Sequence, residues 1–303
     1  MAPATLAKAH FAAGYAAVGE GDFLQARTDF ELSLEHARTA ADERAEGSAL
    51  AQLAWLAMAS GDDRARELAE QSAELAERAG DKLTASGAVT TLADLAVADG
   101  KREEAIQLYE RGLGLRRALG DQRLVANSLV GLGRAQLLQG DYPRATALLE
   151  EALTLARRVK DTWVASVALG NLARVLLCAD GDRGRVGALL AEGLKLARDR
   201  NDRRLTAEWA QGLAAARALE GRPEEAGRLC ACADALREST GAELYPAETM
   251  IQELFLAPIR ADAGFPAALE TARGLSADEL IAAAVAASAD GAQPTVGSSA
   301  VPG

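Results

Sequence analysis

A glycine followed by a charged residue returns about every 40 residues along this chain, at Gly21, Gly61, Gly100, Gly140, Gly181 and Gly221. A second turn signal runs in antiphase through Asp42, Asp81, Asp121, Asp161 and Asp202. Glycine takes the left-handed conformation that ends a helix, and aspartate caps the helix that follows. Two interleaved turns with one period describe a stack of helix pairs, each burying its apolar face against its neighbours. Such a chain folds as a solenoid with an extended binding surface and offers no single deep catalytic pocket.

Phasing the chain on these turns gives six helix pairs, at residues 5–39, 44–79, 83–118, 123–159, 163–199 and 204–239. Pro143 and Pro223 fall in the first turn of a second helix, where a missing N–H is harmless. Small residues recur in phase. Gly14, Ala54, Ala93, Gly133, Ala173 and Ala214 precede the turn, and Ala26, Ala105, Ala145 and Ala226 follow it. These positions let helices approach closely, with Phe30, Tyr109, Leu149, Leu190 and Cys230 filling between them. Ala65 takes the role in the second pair, one residue out of step. The fifth pair carries one extra residue, read as Asp180 before its turn. The hydrophobic share is 49% against 4% aromatic, mostly Ala and Leu. Those residues favour helix, and β-branched alternation is almost absent, so the class is all-α.

Charge and motifs exclude several functions. The formal net charge is −11, and no dense basic block offers a phosphate-neutralising face, so direct nucleic-acid binding is not expected. No stretch has the length and purity of a membrane span, and the N-terminus lacks the pattern of a signal peptide; a cytoplasmic location is expected. The three cysteines, Cys178, Cys230 and Cys232, suit a reducing compartment. Cys230 and Cys232 project about 200° apart on a helix, and His10 and His36 are the only histidines, so no metal site is expected. Neither H-E-x-x-H nor G-x-S-x-G occurs, and no cofactor is expected. Adjacent pairs such as Glu103/Glu104, Glu150/Glu151 and Glu224/Glu225 do not face each other on a helix; they read as solvated surface. An enzyme is not expected.

The run from Gly131 to Ala145, GLGRAQLLQGDYPRA, resembles the core of a tetratricopeptide repeat in its spacing of small residue, Gly-Asp-Tyr and Ala. The longer period resembles the repeat arm of large ATP-binding LuxR-type and antibiotic-regulatory bacterial transcription factors. The runs Glu225–Gly241 and Ala272–Ala284 are similar to the end of that arm. The resemblance covers about residues 4–240. It implies a right-handed superhelical solenoid of helix-turn-helix repeats over 1–240, closed by C-terminal capping helices over 241–288. Phe255 and Phe265 are expected in that cap, and Ser276 with Glu279 reads as a capping box. A disordered tail is expected over 289–303. The family's phosphate loop G-x-x-x-x-G-K-[ST] and its basic helix-turn-helix are missing from this sequence, so neither ATP hydrolysis nor DNA binding carries over.

In such arrays the first helix of each pair lines the concave face. Positions thirteen, nine and six before the turn share one side of that helix. They give Lys8, Ala12 and Tyr15; Ser48, Gln52 and Trp55; Gly87, Thr91 and Asp94; Asn127, Gly131 and Arg134; Val167, Asn171 and Arg174; and Glu208, Gly212 and Ala215. Asn127, Arg134, Asn171 and Arg174 put amides and guanidinium groups on successive repeats, suited to a ligand backbone and its carboxylates. Lys8 and Gln52 add polar groups, and Tyr15 and Trp55 add aromatic anchors. The alternative is that Arg134 and Arg174 pair with Asp94 or Glu208 within the groove. Trp163 and Trp209 are expected to pack between repeats, and His10 to pack as a large core residue. The expected partner is a protein or extended peptide, in the regulatory arm of a bacterial signalling or transcription-control protein. A small-molecule or signalling-peptide sensor and an accessory enzyme subunit are the other readings. The sequence does not give the oligomeric state.

Overall fold

The computed structural model describes residues 1–240, 246–262 and 264–272, with the single positions Leu275, Glu279, Ala282 and Ala286. Among the described residues there is no strand. The helices come in pairs: α1 (Pro3–Glu20) with α2 (Phe23–Thr39), α3 (Glu43–Ala59) with α4 (Ala65–Arg78), and α5 (Lys82–Ala98) with α6 (Arg102–Leu119). Then follow α7 (Gln122–Gln139) with α8 (Tyr142–Val159), α9 (Thr162–Cys178) with α10 (Arg183–Asp199), and α11 (Arg203–Leu219) with α12 (Pro223–Thr240). The chain divides into two compact units, Met1–Ala135 and Gln136–Gly303, each a stack of such pairs. In each, the second helix of one pair packs on the first helix of the next, as α2 does on α3 and α10 on α11.

One turn chemistry builds nearly every corner. The residue after the left-handed position sends its N–H back to a carbonyl five residues earlier: Asp22 to Ala17, Asp141 to Gln136, Asp161 to Ala156, Asp202 to Ala197. This satisfies carbonyls the helix end leaves open. The same aspartate then caps the next helix, as Asp141 does for the Arg144 N–H and Asp202 for the Leu205 N–H. The fifth pair departs from the sequence reading. Its left-handed residue is Asp180, φ 50°, while Gly181 is not left-handed. The extra residue is thus Gly181, after the left-handed position, and not Asp180 before it. Aspartate tolerates this conformation because its short side chain bonds locally.

The small in-phase residues are buried: Ala26, Ala54, Ala93, Ala105, Ala145, Ala173, Ala214 and Ala226 are all 0% exposed. Ala65, the out-of-step member, is buried too. Phe30, Tyr109, Leu149 and Leu190 fill the spaces between, each worth about 1.5–3 kcal/mol of burial. Cys230 is only half-buried. Glycines make room for large rings. A Cβ on Gly14 would meet the Phe30 ring at 2.7 Å, one on Gly131 the Tyr109 ring at 2.6 Å, and one on Gly170 the Trp209 ring at 2.1 Å.

At the C-terminal end, α13 (Pro246–Ile251) leads into a π-helical turn at Gln252–Leu256 and a 3-10 turn at Ala257–Ile259. α14 (Gly264–Ala272) lies on α12, where the Phe265 carbonyl and Ala268 press on Gly227. Phe255 is half-buried and Phe265 buried in this segment. Gln211 of α11 donates to the Glu248 carbonyl at 2.8 Å, tying α13 to the last pair. Ser276 of the expected capping box and the tail over 289–303 lie outside the described residues.

Candidate functional site

In the N-terminal unit most of the first-helix stripe is accessible, although Thr91 is buried. Lys8 is exposed, and Tyr15 is 50% exposed while its ring meets Phe11 and Phe30 edge-on. Trp55 is half-buried with its ring 6.0 Å from that of Phe23, itself exposed. Gln52 and Asn127 are half-buried, and neither side chain bonds a described residue. Two amides with open donors and acceptors therefore stand in the stripe, Gln52 on α3 with Trp55 and Asn127 on α7.

The stripe continues into a charged cluster. Asp94 and Arg134 occupy the same repeat position 40 residues apart, and Arg134 Nη2 donates to Asp94 Oδ1 at 2.8 Å. Arg134 also reaches the Tyr109 hydroxyl at 3.4 Å, and that hydroxyl donates to Asp94. Burial, and after it the Asp94 carboxylate, pushes the Tyr109 phenol well above its ordinary range. The phenol stays protonated and serves as a donor. The Arg134 and Asp94 side chains remain 23% and 28% exposed, so both charges reach the surface.

The C-terminal unit treats the equivalent positions differently. Arg174 is 2% exposed, donates to Glu208 Oε1 at 3.0 Å, and lies 4.9 Å over the Trp209 ring. Arg204 holds the other oxygen of Glu208 at 2.9 Å. Asn171 is 1% exposed and donates to the Val167 carbonyl at 2.9 Å. Asn171 and Arg174, expected to face a ligand, are thus enclosed and bonded within their own unit. Trp209 fills the adjoining space, its ring over Gly170 and its indole N–H donating to Ser166 at 3.0 Å. Trp209 packs between repeats as its position suggested, whereas Trp163 is only half-buried.

Three residues escaped the sequence reading as contributors. Repeat spacing marks Tyr109 and Trp209 as packing residues, yet Tyr109 bonds Arg134 and Trp209 stacks on Arg174. Arg116 is 6% exposed and bonds Ser128 at 2.9 Å, with Ser86 and the Leu124 carbonyl at 3.4 Å. Burial draws its pKa down, against Asp94 and Asp121. The signal for it was present, because Ala37, Ala76, Ala156 and Ala197 hold the equivalent place in other pairs. His10 is half-buried, bonds Asp29 at 3.0 Å and stacks on His36 at 5.7 Å.

Among the described residues no group of three or more His, Cys, Asp or Glu side chains is placed to hold a metal ion. No described helix is long and apolar enough to cross a membrane. Burial first of all pushes the thiols up, Cys178 to about 11 and Cys230 and Cys232 to about 12. They are poor nucleophiles at neutral pH.

Residues 83–158 match the tetratricopeptide repeat family. No curated protein sequence matches the chain. Among solved structures, a Rap protein complexed with Competence and Sporulation Factor superposes with a TM-score of 0.67 at 13% identity, over 91% of this chain and 75% of that one. BtubC from P. vanneervenii gives 0.57 at 20% identity, over 72% of this chain and 92% of that one. A signal transduction ATPase with a tetratricopeptide repeat sensor, from Pyrococcus horikoshii, gives 0.60 at 15% identity. That alignment covers 93% of this chain and 44% of the ATPase. At such identities the likeness is one of fold.

Proposed function

We propose that this chain, whose fold is that of tetratricopeptide-repeat proteins, is a non-enzymatic scaffold that binds a protein or extended peptide along the first-helix face of its N-terminal unit. The observation that carries this reading is that two half-buried amides of the stripe, Gln52 on α3 and Asn127 on α7, form no hydrogen bond with a described residue. An extended peptide presents unpaired N–H and C=O groups, and side-chain amides match both. Tyr15 and Trp55 offer the large, stiff surfaces that anchor interfaces. Lys8 and the Asp94–Arg134 pair add charge that selects among partners, since a misplaced like charge costs several kcal/mol.

Asn171 and Arg174 act in this reading as framework for the C-terminal unit, not as contacts. The setting is the regulatory arm of a signalling or transcription-control protein. Support comes from the fold shared with a Rap protein that holds Competence and Sporulation Factor and with the sensor of a signal transduction ATPase. Binding would shift a conformational balance only through different affinities for its two states.

The test is selection of peptides from a random library on the full chain, followed by calorimetry of the best binder. Gln52→Ala with Asn127→Ala is expected to weaken binding about tenfold or more and to leave the melting temperature unchanged. A binder indifferent to both changes and to Arg134→Ala would place the site elsewhere.

A further inference from the structure

The last helix pair and the segment after it enclose a cavity of about 340 Å³ that the peptide-binding reading does not use. Gln211, Asp234 and Arg237 of its lining belong to one polar network. Arg237 of α12 bonds Gln211 of α11, Glu248 of α13 at 3.2 Å and Asp234 at 3.2 Å. Gln211 and Glu248 are 1% and 3% exposed, so this network is fixed in place. The walls are apolar: Leu256, Phe265, Pro266 and Leu269, with the Cys230 thiol.

Two further polar groups line the cavity outside this network. Gln252 begins the π-helical turn and Arg260 follows the 3-10 turn, and both line the cavity. Neither side chain bonds or pairs with a described residue. A π-helical turn costs regular hydrogen bonding and recurs at functional sites. Here it brings Gln252, Leu256 and Arg260, spaced four apart, onto one cavity.

We propose that this cavity binds a small monocarboxylate with an aromatic or aliphatic body. The size falls in the range of small-molecule sites, which are mostly apolar with a few convergent polar groups. Arg260 supplies the fork that pairs with a carboxylate, and the Gln252 amide supplies a further donor. Asp234 also lines the cavity, paired with Arg237 and with its side chain 58% exposed, and its carboxylate opposes a dianion such as phosphate more than a monoanion. The apolar walls take the body of the ligand. This site is independent of the N-terminal face and fails or stands without it.

The experiment is calorimetry and ligand-observed NMR on the full chain with phenylacetate, indole-3-acetate, phenylacetamide and inorganic phosphate. The two carboxylates are expected to bind at millimolar concentrations or below, with the amide and phosphate about tenfold weaker or more. Arg260→Ala should bring carboxylate binding down to the level of the amide. Arg260 is exposed and forms no hydrogen bond or ion pair with a described residue, so this variant is expected to keep the fold. Leu269→Trp, at a half-buried wall position, should fill the cavity and abolish binding. Carboxylate binding should also slow hydrogen exchange over residues 252–260. The proposal is overturned if neither carboxylate binds, if phosphate binds as tightly, or if binding persists in Arg260→Ala.

Discussion

Arg134 and Arg174 hold the same position in successive repeats, and their surroundings give them different work. Arg174 is enclosed with Glu208 and Trp209, so its removal takes one of the guanidinium partners from a buried carboxylate and leaves a cavity beside the ring. Arg174→Ala is expected to cost about 3–5 kcal/mol in denaturant unfolding. Arg134 and Asp94 keep about a quarter of their surface in water, so Arg134→Ala should cost only about 0.5–1 kcal/mol. Equal losses would refute the division between framework and binding face. The stripe itself was legible, because helix geometry fixes which residues share a side. Burial was not legible. It depends on Trp209 and Glu208, which lie a repeat away in sequence, and on the space that Gly170 leaves for the ring. The pairs with Asp94 and Glu208 stood open as an alternative in the sequence, since opposite charges on neighbouring repeats do not say whether a ligand competes.

At the scale of the helix, the turns were the most legible feature, because their chemistry is local. At most turns one aspartate both closes one helix and caps the next, within six residues. The fifth turn misled because glycine is the usual left-handed residue, and here Asp180 takes that role beside Gly181. Helix glycines divide by what stands over them. Gly170→Ala would drive a methyl group into the Trp209 ring, a conflict expected to cost about 1–3 kcal/mol or more. Gly187 in α10 has nothing within 4 Å of an added Cβ, so Gly187→Ala should stabilise by about 0.5–1 kcal/mol. Thermal melts of the two variants check the contrast. A stable Gly170→Ala protein would show that the ring does not need that space.

Across the whole molecule, the acidic charge balance makes carboxylates the main pH-sensitive groups. The Arg64 guanidinium and backbone N–H hold Asp62 at about 2. Asp29 is held low by Gln25 and His10, and Asp99 by Lys101 and Arg66. Burial works to raise Asp81, but Arg44 and Thr84 outweigh it and hold it low. Each folded-state value lies below that of the unfolded chain, about 3.9. Their stabilisation is therefore complete well above that value and is lost as pH falls towards 2. The melting temperature should be flat from pH 7 to 5 and drop steeply between 4 and 2; no drop there would contradict these pairings. Which face of the repeats takes a partner is read most directly by site-directed photo-cross-linking to a selected peptide. A photoreactive side chain at position 52 or 127 is expected to capture the peptide. One at position 157, on the exposed second helix α8, is expected to capture none. Capture at 157 with none at 52 or 127 would contradict the account.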